Sequence, residues 1–250
     1  DGQHLTSQHL SARWAERYER WLRARGVTTN TVTFHLRNLR AVYNRSVKKR
    51  LIPASFPNPF THLTVRQTVT RKRALSRETI KRICTADLSL ARDNFRFRFF
   101  TRGMSFVDMV YLRNSDIHDG VLTYARHKTG QMLSMRIEPQ LQHIIDRYSN
   151  ASPYILPVLA KDDSYDNYRQ QQRELNKFIR KIGVLLNIPE PLTFYVARHS
   201  WATLARDCGT PLTVISAGMG HTSERTTRIY LAQLDHNIID KANRKIIDLQ

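Results

Sequence analysis

The sequence predicts a mainly α-helical protein with one small β-sheet, organised as two domains. Three observations lead to this fold class. Apolar residues recur at the three- and four-residue spacing of amphipathic helices over most of the 250 residues. Alternation with a period of two is confined to residues 121–137, where two short segments flank a Thr-Gly turn signal. Finally, Pro53, Pro57 and Pro59 interrupt the helical pattern, and a basic stretch without periodicity follows at 64–73.

Two amphipathic helices are predicted ahead of these prolines. The first spans residues 6–25 with an aromatic and aliphatic stripe that includes Trp21, and Gly26 is a suitable stop. The second begins where Thr28 or Thr29 can cap it and runs to about Arg50. We interpret both stripes as core, with the arginines and lysines on the outer faces.

The region after the proline-rich segment is predicted to hold further helices and a hairpin. Helical patterning covers residues 76–100, 102–112, about 140–149, 165–186 and the remainder of the chain, and the hairpin pairs 121–126 with 132–137. These elements place a first domain at 1–65, a linker at 66–75 and a second domain at 76–250.

The charge of the chain is strongly positive and unevenly distributed. Lys and Arg total 40 against 21 acidic residues, a formal net charge of +19, and residues 1–75 carry 15 basic and 3 acidic residues. Such an excess indicates a polyanionic partner, usually nucleic acid, whereas a merely solubilising surface mixes both signs. The residues that we expect to contact DNA phosphates are Arg37, Arg40, Lys48, Lys49, Arg71, Lys72, Arg73 and Arg102.

Other classes of protein are disfavoured. Cys84 and Cys208 lie far apart and match no zinc spacing, which indicates reduced, buried thiols in a cytosolic protein. The sequence has no signal peptide and no apolar run of about 18 residues, so we expect a cytoplasmic protein without a membrane partner. Because the chain begins at Asp1 rather than Met, we expect a fragment that lacks an upstream segment.

The chemistry is concentrated between residues 191 and 232. This stretch holds Arg198 and His199 side by side, a Gly-His step ending at His221, and Tyr230 nine residues later. The sequence shows no metal-ligand cluster, phosphate-binding glycine loop or Gly-x-Ser-x-Gly elbow, so we expect neither metal nor cofactor. Cations, hydrogen-bond donors and one candidate nucleophile suit attack on a phosphodiester.

Three motifs resemble the last third of tyrosine recombinases, the phage-integrase family. They are Arg-His-Ser-Trp-Ala-Thr from Arg198, Gly-His-Thr-Ser from Gly220 and Thr-Thr-x-x-Tyr ending at Tyr230. The resemblance implies a helical, SAM-like core-binding domain followed by an α+β catalytic domain. It also implies a mobile-element integrase that acts as a homotetramer on double-stranded DNA attachment sites, through a Holliday junction. The expected setting is a bacterial nucleoid, where accessory DNA-bending proteins are a further class of partner.

The resemblance assigns a role to each candidate residue. Tyr230 is the nucleophile that forms a 3′-phosphotyrosyl bond, and Arg198 is a phosphate ligand, since a guanidinium fork matches two oxygens. His221 donates to a non-bridging oxygen or shuttles a proton. Lys128, in Lys-Thr-Gly, resembles the mobile-hairpin lysine that protonates the leaving 5′ oxygen. Outside the motif context, a packed tyrosine, a surface ion pair, a structural histidine and a solvated turn lysine are the ordinary interpretations.

Two positions depart from the family pattern. Tyr195 stands where the family has histidine, and it can donate to phosphate but is a poor general base near neutral pH. Ser105 stands where the family has its first arginine. We expect Arg126 to replace that arginine, because a strand reaching it would place it on one face with Lys128. Arg102, one helical turn before Ser105, is the second choice.

Two alternative functions remain open. A type IB topoisomerase uses the same tyrosine chemistry, and a DNA-binding protein with a decayed site would explain Ser105 and Tyr195. The basic helical module and the stripe at 235–249, which can dock on a neighbouring protomer or on its own domain, favour the recombinase. The joint presence of Arg198, His221, Tyr230 and Lys128 disfavours decay.

Overall fold

The structure is a computed structural model that describes residues 9–61, 68, 74–86, 90–149 and 152–231, without the side chains of Ile229 and Tyr230. The chain separates into two compact units, Asp1–Arg71 and Lys72–Gln250. Helices dominate and one three-stranded sheet is present, so the predicted fold class is confirmed. In the described part, no helix is long and apolar enough to cross a bilayer.

The first unit contains helices α1 (Ala12–Ala24) and α2 (Thr29–Lys48). Ser11 caps α1 by accepting from the Trp14 amide, and Thr28 caps α2 by accepting from the Thr31 amide, which is why the helices begin there. The predicted stripe was wrong at Trp21, which is 48% exposed. The guanidinium of Arg25 lies 4.2 Å from the centroid of its ring, a cation–π contact.

The second unit contains the sheet and the remaining helices. The helices are α3 (Arg77–Thr85), α4 (Leu90–Phe100), α5 (Phe106–Val110), α6 (Pro139–Tyr148), α7 (Tyr165–Leu185), α8 (Phe194–Asp207), α9 (Leu212–Gly218) and α10 (Glu224–Leu231). The strands are β1 (Ile117–His118), β2 (Val121–Ala125) and β3 (Met132–Arg136). They form an antiparallel sheet in the order β1-β2-β3, in which Leu122 pairs with Met135 and both are buried.

Helix α4 is the centre of this unit. It packs against α3, α6, α7 and α8 and buries Phe95 and Phe97 completely. Its Asp93 is fully buried as well, and it accepts from Arg92, Arg147 and Tyr148 at 2.9–3.0 Å. A buried carboxylate is tolerated only with such partners. Burial, with the bond to Asp93 second, raises the pKa of Tyr148 to about 12.

The segment between α4 and α5 differs from the prediction. A helix over 102–112 was expected, but α5 covers only Phe106–Val110. Arg102 and Gly103 have φ angles of +59° and +75°, a left-handed conformation that a right-handed helix excludes. Ser105 then starts α5, because its hydroxyl accepts from the Asp108 amide at 3.2 Å. Arg102 is therefore not one helical turn away from Ser105.

Candidate active site

A cavity of about 530 Å³ opens on the surface of the second unit. Its lining comes from α4, α5, the β2–β3 turn, α7, α8, the loop before α10 and, through Thr226, α10 itself. Among the described residues that line it, four carry a permanent positive charge and none carries a carboxylate. Such a cavity favours an anion. The cationic residues are Arg98, Arg126, Lys128 and Arg198.

Arg198 is held in position by three groups. Helix α8 carries this side chain, which is buried, and its Nη1 donates to the Gly103 carbonyl at 2.7 Å. Its Nη2 donates to the Met219 carbonyl and lies 2.9 Å from Nε2 of His221. The bonds come from different loops, so they fix the plane of the guanidinium fork before any ligand arrives.

Gly103 makes this arrangement possible by its lack of a side chain. A β-carbon at Gly103 would lie 2.7 Å from Cα and 2.9 Å from Cβ of Arg198. The left-handed turn therefore packs directly on the backbone of α8, which places the Gly103 carbonyl within reach of the guanidinium. Local backbone geometry thus explains why a glycine precedes the Met-Ser step.

His221 has an assignable tautomer. An arginine N–H can only donate, so the Nε2 atom that faces Arg198 is the acceptor. The proton then resides on Nδ1, which lies 2.7 Å from the hydroxyl of buried Thr227 on α10. Burial lowers the pKa of His221 to about 4, and the charges of Arg198, Arg126 and Lys128 contribute further. The imidazole is therefore neutral near pH 7.

Arg126 approaches the same cavity from the β2–β3 turn. Its Nη1 donates to the Gly220 carbonyl, and its Nε lies 3.8 Å from a carboxylate oxygen of buried Asp108. Gly220 permits this contact, because a β-carbon there would lie 2.7 Å from Cδ of Arg126. The expected reason was wrong: β2 ends at Ala125, so Arg126 is not a strand residue. It nevertheless lines the cavity together with Lys128.

The two tyrosines are placed differently. Tyr195 is 53% exposed, lines the cavity and makes an edge contact with His199 at 4.6 Å between ring centroids. Tyr230 lies in α10, which packs on α8 and α9, and its side chain is outside the described part. Thr227, one turn earlier, connects this helix to His221.

Most of the other predicted residues lie outside this cavity or outside the described part of the chain. Arg102 is absent from the described lining of the cavity, and its Nη1 is 3.5 Å from the Ser134 carbonyl. Ser105 lines the cavity while capping α5. Arg37, Arg40, Lys48 and Lys49 are exposed on α2 of the first unit, and Arg71, Lys72 and Arg73 fall outside the described residues. The described part contains no group of three potential metal ligands. The expectation of two buried thiols was wrong, because Cys208 is exposed and Cys84 is only partly buried.

Sequence reasoning missed three residues at this site. Arg98 is buried in α4, donates from Nε to the Met104 carbonyl and lies under the loop that ends at Ser105. An arginine within the run Phe-Arg-Phe-Arg-Phe-Phe is unusual enough to have signalled it. Asp108 and Thr227 act through Arg126 and His221, and their roles depend on contacts across the fold that no spacing reveals.

The chain matches known proteins over most of its length. A profile of the phage integrase family matches residues 75–237, and one of the phage integrase SAM-like domain matches residues 2–65. The tyrosine recombinase XerC of Agrobacterium fabrum (strain C58) is 26% identical over 229 residues, which cover 83% of this chain and 69% of the relative.

Solved integrase structures share the fold. A lambda integrase dimer bound to a COC′ core site superposes with a TM-score of 0.73 at 15% identity, over 93% of this chain and 85% of that chain. The Tn1549 transposon integrase in complex with transposon right end DNA superposes with a TM-score of 0.71 at 14% identity, over 97% of this chain and 87% of that chain. A lambda integrase tetramer bound to a Holliday junction superposes with a TM-score of 0.70 at 15% identity, over 88% of this chain and 64% of that chain.

Proposed function

Because the chain belongs to the phage integrase family and is a tyrosine recombinase, we propose that the cavity of the second unit cleaves and rejoins DNA. The two family profiles confirm the resemblance that the motifs indicated. One observation carries the assignment of the site: four cations and a histidine surround a single cavity, beside the helix that contains Tyr230. That arrangement suits a phosphodiester whose negative charge grows during attack.

The reaction proceeds by exchange of one P–O bond for another. The Tyr230 hydroxyl oxygen attacks phosphorus, the bond from phosphorus to O5′ breaks, and a 3′-phosphotyrosyl bond forms. Lys128 gives a proton to the leaving O5′, and the phenolic proton is released, so charge and atoms balance. The new ester retains the energy of the broken one, and the reverse attack by a 5′ hydroxyl rejoins the strand.

Arg198 and Arg126 bind the non-bridging oxygens in this proposal. Arg198 presents its guanidinium through bonds to two carbonyls, and Arg126 presents its own through the Gly220 carbonyl and Asp108. Arg126 is preferred over Arg102 as the replacement for the family's first arginine. The reason is that Arg126 lines the described cavity, whereas Arg102 contacts the β3 backbone.

His221 begins the reaction as a hydrogen-bond acceptor. Its Nδ1–H is engaged by Thr227 and its Nε2 lone pair faces Arg198, so the neutral ring has no proton to give at Nε2. A bound phosphate brings negative charge beside the ring and raises its pKa from the low value of the free protein. His221 can then take up the phenolic proton and share it with a non-bridging oxygen, which combines the two expected roles.

The partner is double-stranded DNA that carries attachment sites. The exposed basic side chains of α2 support phosphate contacts by a proposed core-binding domain at 1–65, ahead of a linker at 66–75 and a catalytic domain at 76–250. A homotetramer acting through a Holliday junction, in a bacterial cytoplasm and nucleoid with accessory bending proteins, is the corresponding assembly. The lambda integrase tetramer bound to such a junction supports it.

The test uses a duplex selected from a random pool by binding to the protein and then nicked next to each candidate cleavage position. Incubation without metal or ATP, followed by a denaturing gel, should show a covalent protein–DNA band that Tyr230→Phe abolishes. Absence of the band on DNA that the protein binds would overturn the enzyme assignment in favour of a decayed site.

A second comparison separates the two arginine candidates. Arg126→Ala should lower adduct formation by about 100-fold or more, the effect of losing one transition-state charge, and Arg102→Ala should not. A methylphosphonate at the scissile position has one neutral methyl group in place of a charged oxygen, so it should restore cleavage by Arg126→Ala. The opposite ranking would assign the role to Arg102.

A further inference from the structure

The orientation of Lys128 depends on the turn that carries it. The Arg126 amide donates to the Gln131 carbonyl at 2.9 Å, and the amides of Thr129 and Gly130 donate to the Arg126 carbonyl at 3.2 and 2.8 Å. These bonds make the turn a compact body between β2 and β3. The Lys128 side chain extends from it on a flexible stem, so the orientation of the turn sets where that side chain starts and which region its Nζ can reach.

His127, between the two cationic residues, anchors this turn to the rest of the unit. Its amide donates to a carboxylate oxygen of Asp108 at 2.8 Å. Its ring stacks on Tyr111, with centroids 5.9 Å apart and planes 11° apart. Tyr111 is itself held, since it stacks on Tyr168 of α7 and its hydroxyl donates to the Asp163 carbonyl at 3.3 Å.

The three consecutive side chains divide between two sides of the turn. Arg126 and Lys128 line the cavity, whereas His127 is absent from its described lining and stacks on Tyr111. The imidazole is therefore directed at an aromatic wall that extends through Tyr111 and Tyr168 to Phe106. A stacked ring pair resists rotation of the turn, which would otherwise swing Lys128 away from the cavity.

We propose that His127 is a positioning residue for the general acid: its stack on Tyr111 orients the turn so that Lys128 delivers its proton to the leaving O5′. The inference rests on the proposed function of this site. It assigns no proton transfer to the imidazole, which acts as a flat ring. Phenylalanine should therefore replace it, and alanine should not.

The experiment compares two nicked duplexes that differ in one atom. In the first the leaving atom is O5′, and in the second it is a bridging sulfur, which departs as a stable thiolate without being protonated. His127→Ala should form adduct on the oxygen substrate about three- to tenfold more slowly, the equivalent of one aromatic contact. It should form adduct on the sulfur substrate at the wild-type rate. His127→Phe should match the wild type on both.

Controls make every outcome decisive. His118→Ala, which removes another exposed imidazole from the same sheet, should leave both rates unchanged. Equal losses on both substrates in His127→Ala would overturn the inference in favour of a role in folding or DNA binding. A His127→Phe defect as large as that of alanine would assign the effect to imidazole chemistry, and no defect in either variant would remove His127 from the mechanism. Absence of adduct with wild-type protein on both substrates would instead contradict the proposed function.

Discussion

Gly220→Ala is expected to disable the site by displacing Arg126. The added β-carbon would lie 2.7 Å from Cδ of Arg126 and 2.7 Å from a terminal methyl of Leu133, about 1 Å inside normal carbon–carbon contact. A small shift of Arg126 cannot relieve this overlap, because its guanidinium is held by the Gly220 carbonyl and by Asp108. We therefore expect the side chain to lose both contacts and leave the cavity.

Two effects contribute to the expected loss of stability. The φ angle of +63° at Gly220 costs about 1–2 kcal/mol for a residue with a β-carbon, and the overlap costs about 1–3 kcal/mol more. Gly209→Ala is the matched control, because Gly209 has φ of +79° and no atom of the described residues lies within 4 Å of the place its β-carbon would take. It should show the backbone effect alone, so the difference in stability between the variants measures the overlap with Arg126 and Leu133, and the difference in cleavage rate measures the displacement of Arg126.

The assay measures denaturant unfolding and the rate of adduct formation for both variants. Gly220→Ala should lose about 100-fold in cleavage, close to Arg126→Ala, while Gly209→Ala stays within about threefold of wild type. In the rate of adduct formation, combining Gly220→Ala with Arg126→Ala should add little to either single change, because both act on the same side chain. Equal stabilities for the two alanine variants, together with wild-type cleavage by Gly220→Ala, would refute the reasoning.

Three further predictions concern His221, Ser105 and the first unit. The pKa of His221 is about 4 against an ordinary 6.5, so the stability that its neutral form provides is complete above about pH 6.5 and is lost as pH falls through 4. Because the ring is partly exposed, we expect this contribution to the free energy of unfolding to be about 1 kcal/mol. Between about pH 7.5 and 4.5, the unfolding free energy measured in urea should therefore fall by about 1 kcal/mol more for wild type than for His221→Gln. Ser105→Ala should lower the unfolding free energy by about 1 kcal/mol, whereas Ser105→Asp keeps the cap of α5 and should not. If the alanine variant keeps its stability but shows a large cleavage defect, Ser105 is a phosphate ligand instead. Arg37→Ala and Arg40→Ala should each reduce the slope of log Kd against log salt concentration by about 0.9 in DNA titrations. Asn38→Ala, at an exposed neutral position of the same helix, is the control, and an equal reduction of its slope would argue against phosphate contacts by the two arginines.

The sequence predicted the elements whose cause is local. Helices α2 and α7 were placed closely because each has a side-chain cap and an apolar stripe, and α6 was placed closely without such a cap. The hairpin was placed because alternation and a Thr-Gly turn coincide. Helix α1 was predicted from residue 6 but begins at Ala12, where Ser11 caps it. Strand β1, with only two residues, has no period to detect. The helix expected from residue 102 failed because left-handed backbone at Arg102 depends on packing against α8.

The site shows a similar division between motif and geometry. Arg198, His221 and Lys128 were selected from motifs, and the structure brings all three to one cavity. Arg126 was selected through a strand that ends one residue too early, and its position is instead set by Gly220 and Asp108, far away in sequence. The buried Arg98 was overlooked: its run of phenylalanines indicates a buried arginine, but not that the side chain faces the same cavity as Arg198.

The hydrogen bond between Thr227 and His221 connects helix α10 directly to the cavity. This helix carries the proposed nucleophile, Tyr230, and, one turn earlier, the Thr227 hydroxyl that contacts Nδ1 of the imidazole, whose tautomer is fixed by Arg198 at Nε2. Any motion that withdraws the helix removes both at once. Under the proposed function, such a motion would therefore withdraw the attacking oxygen and a contact of the neighbouring imidazole in one step.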